Sequence, residues 1–382
     1  YQALTSTDDG DYNTAIGYYA MQASGNDADY NVAIGYYALG LADVSGDNNI
    51  AIGRLAMQDT TSGANNVVIG TYAGNNNTTG ESNAVVGYNA FNTNTTGTTN
   101  TAIGSSALGA NTTASYNVAV GSDALIANTT GANNTAVGTY ALDALTTAAA
   151  NTAVGYGALS ANVTGTVNTA VGYNAGTSVT GGANTLIGHN AGNGITDGEA
   201  NVVVGREARC LIGGGDSNVA IGHLAMESGA SGGYNTMIGN HAGRSAGGAA
   251  NYSVAVGAMS LYQVASGAGS NHGIGYQAGY YITTGDGNIC YGAGAGNGGG
   301  TNSHTALITG SNNVIVGPEC DTSADDSSNQ IVMGHEVAGN ADNSFCFGSS
   351  TTDSAIAFGA TSITAPSDIR LKEDIEDEVV GL

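Results

Sequence analysis

Basic side chains are scarce in this chain. Among its 382 residues there are 30 Asp and Glu but only 6 Lys and Arg, so the formal net charge is −24. Residues 1–367 contain no lysine and four arginines, Arg54, Arg206, Arg209 and Arg244. Binding to nucleic acid or to an anionic membrane needs clustered Lys and Arg, because these residues displace counterions from phosphates. The composition therefore argues against both kinds of partner.

Other absences narrow the class of protein further. There is no tryptophan, only 4 phenylalanines and 2 prolines, and 9% of residues are charged, whereas 62 are glycine. No apolar run reaches the roughly 18–20 residues that a membrane helix needs. The four cysteines, Cys210, Cys290, Cys320 and Cys346, are far apart and form no C-x-x-C pair. We therefore predict that they are buried small apolar residues rather than a metal or redox centre.

What the chain does contain is a short repeat. Residues 13–20 read NTAIGYYA and residues 31–38 read NVAIGYYA. We call the glycine that closes each apolar triplet the anchor glycine; successive anchor glycines are 16 to 18 residues apart, most often 17. Asn stands four positions before it in sixteen of seventeen repeats, and Ala three positions after it in sixteen. Such regularity indicates a repeat architecture. The anchor glycines are Gly17, Gly35, Gly53, Gly70, Gly87, Gly104, Gly121, Gly138, Gly155, Gly172, Gly188, Gly205, Gly222, Gly239, Gly257, Gly275 and Gly292.

The repeat predicts an all-β fold. Ile or Val usually stands directly before the anchor glycine and Ala before that residue, so a strand here has apolar side chains on both faces. A repeat of 17 residues is too short for a strand, a helix and their connections, and its remainder is rich in Gly, Asn, Thr and Asp. We therefore predict a parallel β-solenoid, or β-roll, with one coil per repeat and two short strands per coil. The Asn is expected to form a side-chain ladder or to cap a turn.

The branched aliphatic positions would form a continuous stripe along the solenoid, which at about 4.8 Å per coil is a rod on the order of 80 Å long. Such a stripe exceeds the apolar patches that soluble monomers expose. Threefold self-association hides it on every chain, so we predict a fibrous homotrimer, although the pattern leaves a dimer open.

The sequence also predicts how the chain is divided. Residues 1–295 form the solenoid shaft of about 17 coils, residues 296–366 an irregular β segment at the tip where the glycine spacing fails, and residues 367–382 a new element with a changed composition. Tyr1 falls within a repeat, so we expect the chain to be a piece of a longer protein.

The N-x-A-[IV]-G-x-x-A repeats resemble the head repeats of trimeric autotransporter adhesins and the repeat regions of bacteriophage tail fibres, both trimeric β-rolls. Residues 367–372, SDIRLK, resemble the start of the endosialidase-type intramolecular chaperone domain of phage fibres and spikes. The resemblance implies that the chaperone assists trimer folding and is released by self-cleavage between Ser367 and Asp368, with Ser367 and Lys372 as the catalytic dyad. From the residues alone, the same stretch is also an ordinary helix start with a Ser N-cap.

Tyrosines that directly follow anchor glycines are candidate glycan contacts. Exposed rings in a row can stack on the sugar rings of a host surface glycan, and packing along the rod is the alternative explanation. The residues concerned are Tyr18, Tyr36, Tyr88, Tyr156 and Tyr173.

Three aspartates form a candidate metal site. Asp11, Asp29 and Asp47 share one repeat position, six before the anchor glycine. Carboxylates stacked on neighbouring coils repel each other unless water separates them or a hard cation such as Ca²⁺ lies between them. Ca²⁺ is therefore the one candidate cofactor, and solvated carboxylates are the alternative.

Pattern and resemblance together predict a structural phage tail fibre protein, located extracellularly in the virion and used for host-surface attachment. The expected partners are further copies of the chain, a host-surface glycan or protein, and other tail proteins. No Ser-His-Asp order, zinc-protease motif or P-loop is present, so no enzyme activity is predicted beyond self-cleavage. The alternatives are a trimeric adhesin on a bacterial cell surface, an ice-binding solenoid, against which the interrupted Thr positions argue, and a depolymerase.

Overall fold

The structure is a computed structural model that describes residues 2–4, 10–22, 28–209, 214–228, 232–244, 251–265, 268–299, 305–350 and 354–359. The chain folds into two compact units, Tyr1–Gly232 and Gly233–Leu382. Over the described ranges the regular structure is strand and turn without helix, which confirms the all-β prediction. In that part of the chain no helix has the length and apolar character of a membrane span.

The first unit is a parallel β-solenoid with one coil per repeat. Each strand pairs in parallel with the strand of the next coil, and equivalent repeat positions face each other, as in Ala136↔Ala153 and Val137↔Val154. The strands are β1 (Thr14–Ile16), β2 (Val32–Ile34), β3 (Ile50–Ile52), β4 (Val67–Ile69), β5 (Ala84–Val86), β6 (Thr101–Ile103), β7 (Val118–Val120), β8 (Thr135–Val137), β9 (Thr152–Val154), β10 (Thr169–Val171), β11 (Thr185–Ile187), β12 (Val202–Val204) and β13 (Val219–Ile221).

The second unit contains the same kind of parallel stack, followed by one antiparallel strand. Parallel pairing runs from β14 through β20, and β21 pairs with β20 in the antiparallel direction. The strands are β14 (Thr236–Ile238), β15 (Val254–Val256), β16 (His272–Ile274), β17 (Ile289–Tyr291), β18 (Val314–Val316), β19 (Ile331–His335), β20 (Ser344–Ser349) and β21 (Ser354–Ala357).

The structure differs from the predicted end of the shaft at residue 295. β17 pairs in parallel with β18, although Asn288 and Asn313, which occupy equivalent positions and are hydrogen bonded, lie 25 residues apart. The additional residues lie between two stacked strands, so they break the glycine spacing without breaking the stack. The predicted element at 367–382 lies outside the described residues.

Over the described residues, coils of the first unit have one three-residue strand each, not the two that the sequence predicts. Left-handed residues interrupt the rest of the coil, for example Tyr140 (φ 58) and Leu142 (φ 52) after the anchor glycine and Ala150 (φ 61) before the next strand. An extended run cannot pass through such residues. Backbone in this half still bonds to the next coil, since Thr129 N–H donates to Thr146 O at 2.8 Å.

The anchor glycine combines a positive φ with a close approach to the next coil. Gly138 has a φ of 138°, and a Cβ atom on it would lie 2.4 Å from the carbonyl oxygen of Gly155 in the next coil. A side chain here would therefore meet both a strained backbone and a neighbouring coil.

The solenoid interior is narrow and is filled by small side chains. From β2 to β18 the middle residue of the strand is buried, as at Ala136, and so is the Ala three positions after the anchor glycine, as at Ala141; Leu142 follows as the larger core residue. Cys290, Cys320 and Cys346 are also buried, which confirms the predicted burial; Cys210 lies outside the described residues.

Asparagines four positions before the anchor glycine form a ladder inside the solenoid. Asn134 N–H donates to Asn117 Oδ1 at 2.9 Å, and Asn134 Nδ2 donates to Ala148 O across the coil at 2.9 Å. Both side chains are fully buried, so these bonds satisfy groups that water does not reach. The predicted ladder is confirmed, and each Asn links its own coil to a neighbouring one.

Candidate functional site

The branched aliphatic residues before the anchor glycines lie on the outer face of the strands. Ile103 is 41% exposed and Ile187 40%, whereas Ala102 and Leu186, the middle residues of the same strands, are fully buried. The reason is the alternation of side chains along a strand. We call this outward column of the first unit the aliphatic stripe: Ile16, Ile34, Ile52, Ile69, Val86, Ile103, Val120, Val137, Val154, Val171, Ile187, Val204 and Ile221.

The stripe is continuous because the coils are in register. Strand partners place each stripe residue beside the next, as in Ile103↔Val120 and Val120↔Val137. Every one of these side chains is partly or largely exposed in the single chain. A continuous exposed column of thirteen Ile and Val side chains is the kind of apolar patch that marks an interaction surface.

In the candidate metal site, aspartate side chains accept hydrogen bonds from backbone N–H groups of the preceding coil. Asp11 N–H donates to Asp29 Oδ1 at 2.6 Å, and Asp29 N–H donates to Asp47 Oδ1 at 2.8 Å. No group of three or more His, Cys, Asp or Glu side chains suited to a metal ion occurs among the described residues. The geometry therefore shows a backbone ladder at these positions, and the Ca²⁺ site stays a prediction.

The same position carries oxygen acceptors in other coils, so the ladder does not depend on a carboxylate. Glu199 N–H donates to Asp216 Oδ1 at 2.8 Å, and Thr98 N–H donates to Ser115 Oγ at 3.0 Å. A neutral hydroxyl would be a poor substitute in a calcium site built from three carboxylates, but it serves equally well as an acceptor for a backbone N–H.

The candidate glycan tyrosines are exposed, and several cover one another. Tyr18 and Tyr36 are stacked with ring centroids 5.7 Å apart, Tyr156 and Tyr173 with centroids 5.3 Å apart, and Tyr173 also stacks on His189. Each of these rings therefore has at least one face occupied by a neighbour. Tyr88, 60% exposed, meets Tyr72 edge-on instead. Glycan binding by this column stays a prediction.

A second tyrosine column, which the sequence analysis missed, lies five positions before the anchor glycine. Its members are 55–74% exposed and have left-handed backbone. Where two of them occur on consecutive coils the rings stack, with centroids 4.9 Å apart for Tyr12 and Tyr30. The signal was present, but Asn, Ser, Thr and Ala share the position and hide it. The column consists of Tyr12, Tyr30, Tyr116, Tyr234 and Tyr252.

Arg209 is a charged residue in the core that the sequence analysis did not single out. It is fully buried at the position that Leu142 occupies in its own coil. Nη1 donates to Asn201 Oδ1 at 2.6 Å and Nη2 to Gly215 O at 2.8 Å. Burial lowers the pKa of Arg209 to about 10, against the opposing effect of Asp216, so the guanidinium keeps its charge at neutral pH. In other coils the carbonyl equivalent to that of Gly215 accepts a hydrogen bond from Nδ2 of a ladder asparagine, as Ala148 O does from Asn134. Here Arg209 Nη2 is a donor to this carbonyl.

The predicted cleavage dyad, Ser367 and Lys372, and the scissile bond to Asp368 lie outside the described residues. Self-cleavage at this junction therefore stays a prediction that rests on the resemblance.

No family model, no curated protein and no solved structure matches this chain. A function must accordingly be argued from the surfaces of the solenoid itself. Three features carry that argument: the aliphatic stripe, the exposed tyrosine columns, and a surface with very few basic side chains.

Proposed function

We propose that the chain is a structural fibre protein, the shaft and distal part of a phage tail fibre, which acts as a homotrimer in attachment to a host surface. The aliphatic stripe carries this proposal. Burying a column of Ile and Val releases about 25 cal/mol per Å² of apolar surface, and the gain is repeated on every coil. A threefold arrangement brings the same stripe of each copy to one common axis.

The rest of the surface fits attachment better than catalysis. The exposed tyrosine columns offer rigid rings with a polar end, which suits recognition of polar surfaces. In-register coils transmit load through ladders of backbone bonds, as in other repeat proteins whose contacts run only between neighbouring repeats. Release of a C-terminal chaperone by self-cleavage belongs to the same proposal and depends on the resemblance of residues 367–372.

The decisive measurement is the mass of the purified chain by light scattering at micromolar concentration. We expect about three times the 37.5 kDa of one chain. Ile103→Asp should lower this mass to that of one chain, because a buried, unpaired carboxylate costs several kcal/mol in each copy. The circular dichroism of the β-solenoid should persist, since Ile103 is partly exposed in the single chain.

Thr113→Asp is the matched control, because Thr113 is exposed in the same coil and lies away from the strand. It should leave the mass unchanged. The wild-type trimer, labelled with a fluorophore, should bind some strains in a panel of bacteria and leave others unlabelled. A folded wild-type monomer would contradict the fibre, and a trimer that binds no strain would contradict attachment.

A further inference from the structure

An open slot interrupts the second tyrosine column in the second unit. It has a volume of about 430 Å³, and Tyr252, Ser270, Gly287 and Asn312 line it together with Asn251, Gly269 and Asp286. Tyr252, Ser270, Gly287 and Asn312 occupy the same coil position on four consecutive coils. The slot exists because the two middle coils carry almost no side chain there. Its volume lies within the range of about 300–1,000 Å³ that ligand sites have.

One wall of the slot is an aromatic face. Tyr234 stacks on Tyr252 from the preceding coil, with ring centroids 5.4 Å apart and planes 10° from parallel. On the following coil the column continues with Ser270, whose side chain is too short to cover a ring. Tyr252 therefore offers its second face to the slot, and the residue is 61% exposed.

The remaining walls are polar. Asp286 accepts the N–H of Gly269 at 2.5 Å through one carboxylate oxygen, which fixes the carboxylate at the floor. Asn312 Oδ1 lies over Gly287, only 2.8 Å from where a Cβ atom of that residue would be. Three coil steps separate Tyr252 from Asn312, an interval of about 14 Å.

We infer that this slot binds one ring of a neutral, hydroxyl-rich saccharide, with the apolar face of the sugar against Tyr252 and hydroxyl groups donating to Asp286 and Asn312. Carboxylate and carboxamide oxygens are acceptors that suit sugar hydroxyls. No basic residue lines the slot, so an anionic sugar would face an unrelieved negative charge. The inference rests on the proposed attachment function. It places the sugar site at the slot and not at the tyrosines that directly follow the anchor glycines.

The chain itself supplies a variant that fills the slot. Ser270 and Tyr252 have nearly the same backbone, with φ of 54° and 58°, and tyrosines on consecutive coils at this position already stack in two places. Ser270→Tyr should therefore continue the stack and cover the free face of Tyr252 without disturbing the fold. Tyr252→Ala removes the aromatic wall itself. Tyr116→Ala is the control, because Tyr116 is equally exposed at the same coil position in the other unit.

The test measures saturation-transfer NMR and calorimetric binding of lactose, maltotriose, diacetylchitobiose and sialyllactose to the full chain. At least one neutral sugar should bind, and sialyllactose should bind no better than lactose. Ser270→Tyr and Tyr252→Ala should weaken binding at least about tenfold, whereas Tyr116→Ala should leave it unchanged.

The inference is overturned if none of the neutral sugars binds, or if Ser270→Tyr binds them as well as the wild type. In either case a trimer that still labels bacterial strains leaves the proposed fibre function standing. Conversely, if the wild type is a monomer that binds a neutral sugar through Tyr252, the proposed fibre function is wrong and the inferred sugar site stands.

Discussion

At the residue scale, Asp143 is a side chain that does not suit the hydrogen-bonding pattern of its coil position. Five positions after the anchor glycine, Asn75 Nδ2 donates to Leu55 O of the preceding coil at 3.0 Å, and Asn92 Nδ2 donates to Tyr72 O at 3.1 Å. Asp143 stands at the same position but has no such donor, and its Oδ1 is buried without a hydrogen bond partner. The equivalent carbonyl for Asp143 belongs to Asp123.

Burial raises the pKa of Asp143 above its ordinary value of 3.8; the charge of Asp123 adds to this, and two backbone N–H groups partly oppose it. For an acid whose pKa is raised by folding, the folded chain binds more protons than the unfolded chain between the two pKa values. Stability therefore falls as pH rises through that window, and the penalty persists at neutral pH.

Asp143→Asn should consequently stabilise the protein at pH 7, because it removes the buried charge and adds the missing Nδ2 donor toward Asp123. We expect a rise in Tm of about 1–2 °C, measured by circular dichroism. Near pH 3 the part of the Tm difference that comes from the charge of Asp143 should disappear, because this carboxyl group is then largely protonated in both the folded and the unfolded chain. An Asp143→Asn protein with a lower Tm at pH 7 would show that the carboxylate is stabilising where it stands.

At the scale of the structural element, two columns of core residues compensate for each other in volume. Most coils pair a small middle strand residue with a large residue four positions after the anchor glycine, as Ala153 with Leu159. Where the second position is glycine, the first is often enlarged. In one coil Leu186 stands opposite Gly192, and a Cβ atom on Gly192 would lie 2.5 Å from Leu186 Cδ2.

This compensation predicts a double-mutant cycle. Leu186→Ala alone should cost about 2–5 kcal/mol by opening a cavity, and Gly192→Leu alone should be destabilising because it overfills the core. Together they recreate the Ala–Leu pair that Ala153 and Leu159 form two coils away, and Leu159 shows that leucine is accepted in the left-handed conformation at this position, with a φ of 55°. Denaturant unfolding should find the double variant more stable than either single variant. Additive losses would contradict the pairing.

The sequence predicted those elements whose residue type is nearly invariant. The Asn four positions before the anchor glycine and the glycine itself define the coil, and their geometry follows from hydrogen bonding and sterics. The one-strand coil was missed because left-handed backbone at Tyr140 and Leu142 has no residue signature. A second buried ladder, in which Asn94 Nδ2 donates to Asn77 Oδ1 at 2.6 Å, was missed because Leu145 and other apolar residues share its position.

The slot beside Tyr252 and the role of the aspartate ladder were harder to predict, because neither has a distinct sequence pattern. The slot beside Tyr252 is defined by side chains that are small, and a column of mixed Tyr, Ser, Gly and Asn shows no pattern until the coils are in register. The aspartate ladder was ambiguous because stacking alone cannot distinguish carboxylates that hold a cation from carboxylates that accept backbone N–H groups. The hydrogen bond from Asp11 N–H to Asp29 Oδ1 shows the backbone role, and the Ca²⁺ site stays a prediction.

At the scale of the whole molecule, the dominant electrostatic feature is an excess of negative charge. The chain has 30 acidic and 6 basic residues, and one of the basic residues, Arg206, forms a salt bridge with its neighbour Glu207 at 3.1 Å. Asp11, Asp29 and Asp47 add like charges on consecutive coils. Self-repulsion of this kind destabilises a compact state and is screened by salt.

Added salt should therefore stabilise the protein, and Ca²⁺ should do no more than its ionic strength explains. Raising NaCl from about 10 mM to about 300 mM shortens the screening length several-fold, and we expect Tm to rise by about 2–4 °C. CaCl₂ at matched ionic strength should give the same Tm, because the carboxylates of Asp29 and Asp47 are engaged with backbone N–H groups. Asp29→Asn is the control, since it keeps the Oδ1 acceptor and removes one charge. If CaCl₂ raises Tm beyond NaCl and Asp29→Asn abolishes the difference, the aspartate column binds calcium and the backbone ladder is not its main role.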